Sequence, residues 1–330
     1  MNPSNRHRRA GEACAVLGLL VLAPSLCSQS IGEIRDELRR SVRAARYPLF
    51  MATLTDFAED GLLAGGHLHI DGSPGTALSL LSLPFTQDLD LFGSPTKLRV
   101  EGTAGMAQVR VDIPDLWSGA LPGLETRAVS RYRAFAADLG AGPSFEIVSH
   151  VRAEALVHGG LSYIDNDTDY EGPGSALARA LVDGFLFNWS ASYGSFGTSI
   201  GLRQIDGTLG EVRFRSLLRY DWRCTGSLKA SDPSLQSDDS VQWLTARLDF
   251  EGPTGWTLGA PLDWLSHLGY RRIIGDARHV IGYDDYLEIG AGLRANTNDS
   301  LPLLSGIELS GSFIYGTDII GWTAGLSVSF

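Results

Sequence analysis

Lysine is nearly absent from this chain: Lys97 and Lys229 are the only two among 27 basic residues, and the rest are arginine. Cysteine and methionine occur three times each. Three cysteines cannot build a disulfide scaffold or a four-cysteine zinc site. Positive charge is in deficit, with a formal net charge of -11. That argues against a nucleic-acid partner, which needs a basic face. After residue 30 no run reaches the ~18 consecutive apolar residues of a spanning helix, which excludes a multi-span helical membrane protein. A membrane barrel stays open, because alternating strands hold the mean hydropathy near zero; here it is +0.01. What the chain has in excess is glycine, 39 of 330 residues against a usual ~7%.

The first thirty residues have the layout of a secretory signal peptide. Arg6, His7, Arg8 and Arg9 form a basic start, 13–22 an apolar core, and Pro24 breaks it before the small residues of 25–30. Cleavage is expected near 27–30. Cys27 raises the question of a lipoprotein signal, but Leu26 before it is a poor match to the small residue that processing prefers. Cys224 is then the one cysteine certain to remain, which suits an exported protein without disulfides. Residues 31–60 read as an amphipathic helix and linker. Ile31, Ile34, Leu38 and Val42 make a narrow apolar stripe among charged residues, and Pro48 ends the helix. The helix is either a surface helix or a plug or periplasmic cap on a barrel.

From about residue 62 the period changes from 3.6 to 2. Ile320, Trp322, Ala324, Leu326, Val328 and Phe330 fall on one face, opposite Gly321, Thr323, Gly325, Ser327 and Ser329. Leu287, Ile289, Ala291 and Leu293 oppose Glu288, Gly290, Gly292 and Arg294; Val212, Phe214, Leu218 and Tyr220 oppose Arg213, Arg215, Arg219 and Asp221. Segments of ten to twelve residues match the ~9–11 needed to cross a bilayer at a tilt, and exceed the ~5–6 of soluble strands. Aromatic residues recur at their ends (Tyr193, Tyr220, Trp243, Trp264, Tyr270, Tyr286, Tyr315, Trp322, Phe330), as interfacial girdles require. The expected fold class is therefore all-β, a transmembrane antiparallel barrel of about twelve strands over 61–330, preceded by a short N-terminal helix. Expected spans are 62–71, 97–106, 126–138, 144–158, 181–193, 196–205, 210–222, 241–251, 262–273, 285–295, 305–315 and 320–330. Short turns at 206–210 and 251–255 then lie on the periplasmic side, and 223–240 forms a long extracellular loop. Residues 159–180 fit poorly, as a long connection on the wrong side.

Two segments carry a resemblance. The C-terminal run from Gly316-Thr317-Asp318 through Trp322, Leu326, Val328 and Phe330 resembles the last hairpin of autotransporter-type outer-membrane barrels. Leu98-Arg99-Val100-Glu101-Gly102-Thr103-Ala104-Gly105 resembles one of their earlier strands. The chain is similar in size to the solitary autotransporter-like family, a barrel without a long secreted passenger. The resemblance implies a twelve-stranded barrel in a Gram-negative outer membrane. It implies as partners the outer-membrane lipids, periplasmic chaperones and the barrel assembly machinery, with Trp322, Leu326, Val328 and Phe330 as the assembly signal. It carries over no catalytic residues.

The lumen-facing row is charged: Arg99, Glu101, Glu146, Arg152, Glu154, Arg203, Arg213, Arg215, Arg219, Asp263, Arg271, Glu288, Arg294 and Glu308. Such a row is either a structural ion-pair ladder or a narrow pore with an arginine-rich constriction favouring small anionic solutes. Arg213, Arg215 and Arg219 are the best constriction cluster. Asp165, Asp167, Asp169 and Glu171 have the density of a calcium loop but lack its sixth-position glycine and twelfth-position glutamate, so a solvated acidic loop is the better reading. A lipid hydrolase would need a serine beside a histidine. His150 and His158 face the lumen with no serine motif near them, and there is no G-x-S-x-G. The expectation is a non-enzymatic barrel without cofactors; the alternatives are a lipid hydrolase and a surface attachment protein acting through its loops.

Overall fold

In a computed structural model of the chain, residues 31–45, 63–70, 77–90, 95–117, 121–275, 283–297 and 306–329 are described. The expected signal segment, most of the expected linker and Phe330 lie outside them. Twelve antiparallel strands close into a barrel: β1 (Leu63–Ile70), β2 (Ala77–Asp90), β3 (Thr96–Ile113), β4 (Arg127–Val148), β5 (Val151–Glu171), β6 (Ser190–Leu209), β7 (Val212–Ala230), β8 (Asp238–Thr257), β9 (Pro261–Ile274), β10 (Asp285–Asn296), β11 (Gly306–Gly316) and β12 (Ile319–Ser329). Each pairs with its sequence neighbours, and β1 pairs with β12, so no edge is left. Helix α1 (Ile31–Ala45) precedes the barrel, and α2 (Ser175–Val182) joins β5 to β6.

The strand count agrees with expectation, but two errors cancel in it. β2 was missed. Leu80 and Leu81 break its alternation, and Pro84 argues against a strand. Pro84 lies beyond Ser82, where the described pairing of β2 with β1 stops, and opposite Thr103 of β3. Conversely, 181–193 is not a strand. It is the end of α2, a tight turn with Gly184 at φ 91° and Asn188 at φ 54°, and only then the start of β6. The span 144–158 straddles two strands, joined at 149–150 with His150 at φ 66°. With these corrections, 159–171 belongs to β5, and the connection carrying α2 lies at the same end as the β7–β8 connection. The misfit of 159–180 disappears.

The short turns 149–150, 210–211 and 258–260 share the end where β12 finishes. The expected turns at 206–210 and 251–255 are at that end but displaced along the chain. The opposite, loop end carries 114–126, 172–189 and 231–237. The expected loop 223–240 shrinks to 231–237, because β7 and β8 continue well past the bilayer. Strands β3 to β8 have 18 to 22 residues and β9 to β12 only 11 to 14.

The long strands reverse their polarity part-way up. On β4 the outward residues Ile147, Phe145, Leu139 and Phe135 are exposed hydrophobics, and the same parity continues with Arg133, Arg131 and Arg127, interrupted by the buried Val129. On β5, Val157, Leu161 and Tyr163 give way to Asp165, Asp167, Asp169 and Glu171. Phe135 and Tyr163 are direct cross-strand partners, as are Arg133 and Asp165. The apolar stretch of β4 spans about 30 Å along the membrane normal at a typical rise and tilt, close to one bilayer core. Above it the arginines and acids form a ladder: Arg133–Asp165 at 2.9 Å, Arg131–Asp169 at 3.3 Å and Arg127–Asp112 at 2.6 Å. The expected acidic loop is thus an outward strand face.

The inward face reverses in step. Within the bilayer height it carries Asp138, Arg152, Glu154 and His158; above it come Ala134, Tyr132, Ala128, Ile164 and Tyr170. These pack with Leu116, Trp117, Phe185, Phe187, Trp189 and Tyr193 into an apolar cap that fills the loop end. A wall in lipid needs an apolar outside; a wall in water needs an apolar inside. Phe185, Phe187, Trp189, Ala191 and Tyr193 alternate within the expected span 181–193, where an apolar-outward rule would turn them to lipid; they are interior instead. Of the expected girdle residues, Tyr193, Trp243 and Tyr286 are interior too, while Tyr315 and Trp322 face outward.

Candidate functional site

The interior below the cap is built from the inward positions of strands, two residues apart. Its centre is Arg219 on β7. Its guanidinium lies 2.7 Å from Glu101 on β3, 2.8 Å from Asp221 and 2.9 Å from the Ser199 hydroxyl on β6. Arg219 and Glu101 are separated around the wall by β4, β5 and β6, so their pair crosses the lumen. Arg223 on β7 likewise reaches Asp138 on β4 at 3.3 Å. Glu101 also meets Arg99 at 3.4 Å, and Arg99 meets Asp88 and Glu154 at 3.2 and 3.4 Å. Arg203 joins Glu154 at 3.4 Å.

His158 on β5 sits in this network. Its Nδ1 is 3.1 Å from Asp138 and its Nε2 is 2.7 Å from the Ser199 hydroxyl. Its ring needs a glycine opposite: a Cβ at Gly140 would lie 2.4 Å from it. Carboxylate, imidazole and hydroxyl are connected as in a nucleophile–base relay. Two features oppose that chemistry here. The hydroxyl donates to Asp221 at 2.5 Å while accepting from Arg219, and Ser199 is only 2% exposed. The arrangement can hold strands together; it offers no space for an ester. Sequence reasoning placed His158 inward but missed Ser199, which stands 41 positions away in a plain Ser-rich strand with no motif. It also left Asp138 and Arg223 out of the charged row.

The named constriction residues divide between two places. Arg213, Arg215 and Arg219 share a face but do not converge. Arg213 turns to Glu251 at 2.6 Å and Asp263 at 3.3 Å, far round the wall from Glu101. Arg294 also approaches Glu251, at 3.6 Å, and is the cross-strand partner of Glu308. Glu288 accepts from Ser312 and lies 3.3 Å from His267. Arg271 contacts Thr245 and lies over the Trp243 ring. Trp322 and Leu326 face outward on β12, and Val328 pairs with Ile307.

At the loop end, α1 lies against α2 and the turn Pro233–Leu235. Leu38 is buried there, Arg35 donates to the carbonyls of Ala180 and Asp183, and Arg39 pairs with Asp232 at 2.8 Å. The helix thus sits at the mouth opposite the one where a periplasmic cap was expected. Burial alone would raise the Asp232 carboxyl, but hydrogen bonds from Ser234 and Arg39 outweigh it and hold it below its usual range. Among the described residues no three acidic, histidine or cysteine side chains converge to hold a metal ion.

No curated protein matches the chain. Similar solved structures include the translocator domain of the autotransporter NalP from Neisseria meningitidis, 10% identical, covering 91% of this chain and 99% of that one, with a TM-score of 0.47. The transport unit of AIDA-I from Escherichia coli is 11% identical, covering 87% and 99%, with a TM-score of 0.48. The β domain of the Bordetella autotransporter BrkA is 15% identical, covering 81% and 96%, also at 0.48. Residues 76–328 match a family described as the solitary outer membrane autotransporter beta-barrel domain. With its closed ring of twelve strands and a family match over most of its length, the chain belongs to the solitary outer-membrane autotransporter β-barrel family.

Proposed function

We propose that this outer-membrane barrel is sealed: a non-conducting, non-enzymatic scaffold that holds its capped loop end on the cell surface. The observation that carries this reading is the Arg219–Glu101 pair, which crosses the lumen at mid-height beneath an apolar cap. A water-filled path would have to part a buried ion pair and then pass a packed cluster of aromatic side chains. The arginines favour closure over anion conduction, because most of them point at carboxylates rather than at open space. The outward apolar band meets the membrane lipids. The C-terminal strand, with Trp322, Leu326, Val328 and Phe330, is the element offered to the assembly machinery after export.

Planar-bilayer recording of the refolded chain tests the proposal. The wild type should be silent, and Arg219→Gln combined with Glu101→Gln should show intermittent steps. Regular open steps in correctly folded wild type would overturn it. The Ser199–His158–Asp138 relay is structural on this reading. A serine-directed phosphonate that labels the wild type but not Ser199→Ala would reverse that assignment.

A further inference from the structure

The outer wall of the barrel carries a hollow of about 420 Å³, within the size range of small-molecule sites. Its floor is made of two short side chains, Ala246 on β8 and Ser216 on β7. Across the sheet, Ala246 stands between Leu218 and Tyr270, and Ser216 between Gln204 and Leu248. Leu202, Leu268 and Leu287 complete the walls; like Leu218 and Leu248 they are exposed hydrophobics of the lipid-facing band. These cross-strand rows run perpendicular to strands that tilt by about 35–45°, so the hollow climbs the wall obliquely. At its low end Gln204 is the cross-strand partner of Val151, the first residue after the turn 149–150. At its high end Leu287 is the third residue of β10, near the loop end.

Short side chains between long ones leave a depression in a surface that meets hydrocarbon. A chain lying in it gains dispersion contacts on three sides, where a lipid against a flat wall gains them on one. The two ends of the hollow differ in polarity. At the high end the Tyr270 hydroxyl is already bonded, to Asp285 at 2.8 Å. At the low end Gln204 Oε1 accepts from the Ser216 hydroxyl at 3.5 Å, and its amide protons have no acceptor among the described residues. Donors left unpaired at a lipid-facing position are costly. An ester or phosphate oxygen of a lipid on the periplasmic side accepts from them. We propose that this hollow holds one glycerophospholipid of the periplasmic leaflet, with an acyl chain over Ser216 and Ala246 and its ester or phosphate oxygens at the Gln204 amide. The site lies on the outer wall, so it does not depend on whether the lumen conducts.

The test uses the full chain, stripped of lipid in mild detergent and titrated with palmitoyl-oleoyl phosphatidylethanolamine, with bound lipid counted by native mass spectrometry. The wild type should saturate with one tightly held lipid. Ala246→Phe fills the floor and should lose that species while keeping the heat-modifiable migration of a folded barrel. Leu309→Phe on β11, outward but outside the hollow, should keep it. Gln204→Leu should weaken the apparent affinity about fivefold, as expected for loss of one net hydrogen bond. Adducts that rise with lipid concentration without saturating at one would overturn the proposal. So would a preference for lipopolysaccharide over the phospholipid, or dimers in place of a lipid-bound monomer. These three readouts need only the wild type, so a variant that fails to fold does not protect the proposal.

Discussion

Arg219→Gln is the perturbation that the interior geometry makes most informative. The side chain is 5% exposed and touches two carboxylates and a hydroxyl. Removing its charge leaves Asp221, 0% exposed, with the Ser199 hydroxyl but without either contact to Arg219. Glu101 fares better, since Arg99 at 3.4 Å and His158 at 3.7 Å remain beside it. Breaking a buried pair by removing one partner costs about 3–5 kcal/mol. The surviving neighbours of Glu101 place this case near the lower end, at about 3 kcal/mol. Glu101→Gln alone should cost less, about 1–2 kcal/mol, because Arg219 keeps Asp221. Because the two side chains pair across the lumen, the double variant should recover about 1–3 kcal/mol relative to the sum. Reversible guanidinium unfolding in detergent micelles, followed by tryptophan emission and by heat-modifiable gel migration, measures all three. Additivity within about 0.5 kcal/mol, or a cost for Arg219→Gln below about 1 kcal/mol, would refute the lock.

The outward face is tested on β11. Leu309 is 64% exposed and faces outward, so Leu309→Arg should cost roughly 2–4 kcal/mol near the midplane, whereas Ser310→Arg, facing the lumen, should cost much less; the same unfolding assay reads both. In a Cys224→Ser background, a cysteine replacing Pro122 at the loop end should react with an impermeant maleimide on intact cells, and one replacing Glu211 at the turn end should react only after the outer membrane is broken. The reverse pattern would invert the topology. Asp232 should make α1 docking acid-sensitive. Its folded-state value lies below the unfolded one, so the stabilisation is full above about pH 4 and is lost as pH falls through the folded value. A spin label at Glu37→Cys, in the same Cys224→Ser background, should gain mobility only below about pH 4, and a label equally mobile at pH 7 would show that Arg39 and Asp232 do not hold the helix.

What the sequence determined by itself was the class of fold. Period-2 alternation in segments longer than soluble strands, closing on an apolar C-terminal strand, is enough to specify a membrane barrel, because the alternation follows from one wall facing lipid and the other a polar interior. The inward side of each charged row was also legible, since Arg99, Glu154, Arg219 and Glu288 share the parity of their strands. Where the wall leaves the membrane was not legible. The same parity continues from Phe145 to Arg127, but its meaning inverts at Phe135 as the outside changes from lipid to water. A single rule of apolar-outward therefore turned Phe187 and Tyr193 the wrong way. A change of outward residues from apolar to charged within one parity is the signal that would have marked it. Tertiary structure alone decided the site. Strand parity says that Arg219, Glu101, His158 and Ser199 face inward; only closure of the ring brings β3, β5, β6 and β7 within reach of one another across the lumen, because contacts between strands three or four apart depend on how the wall curves and how side chains of different length meet inside it.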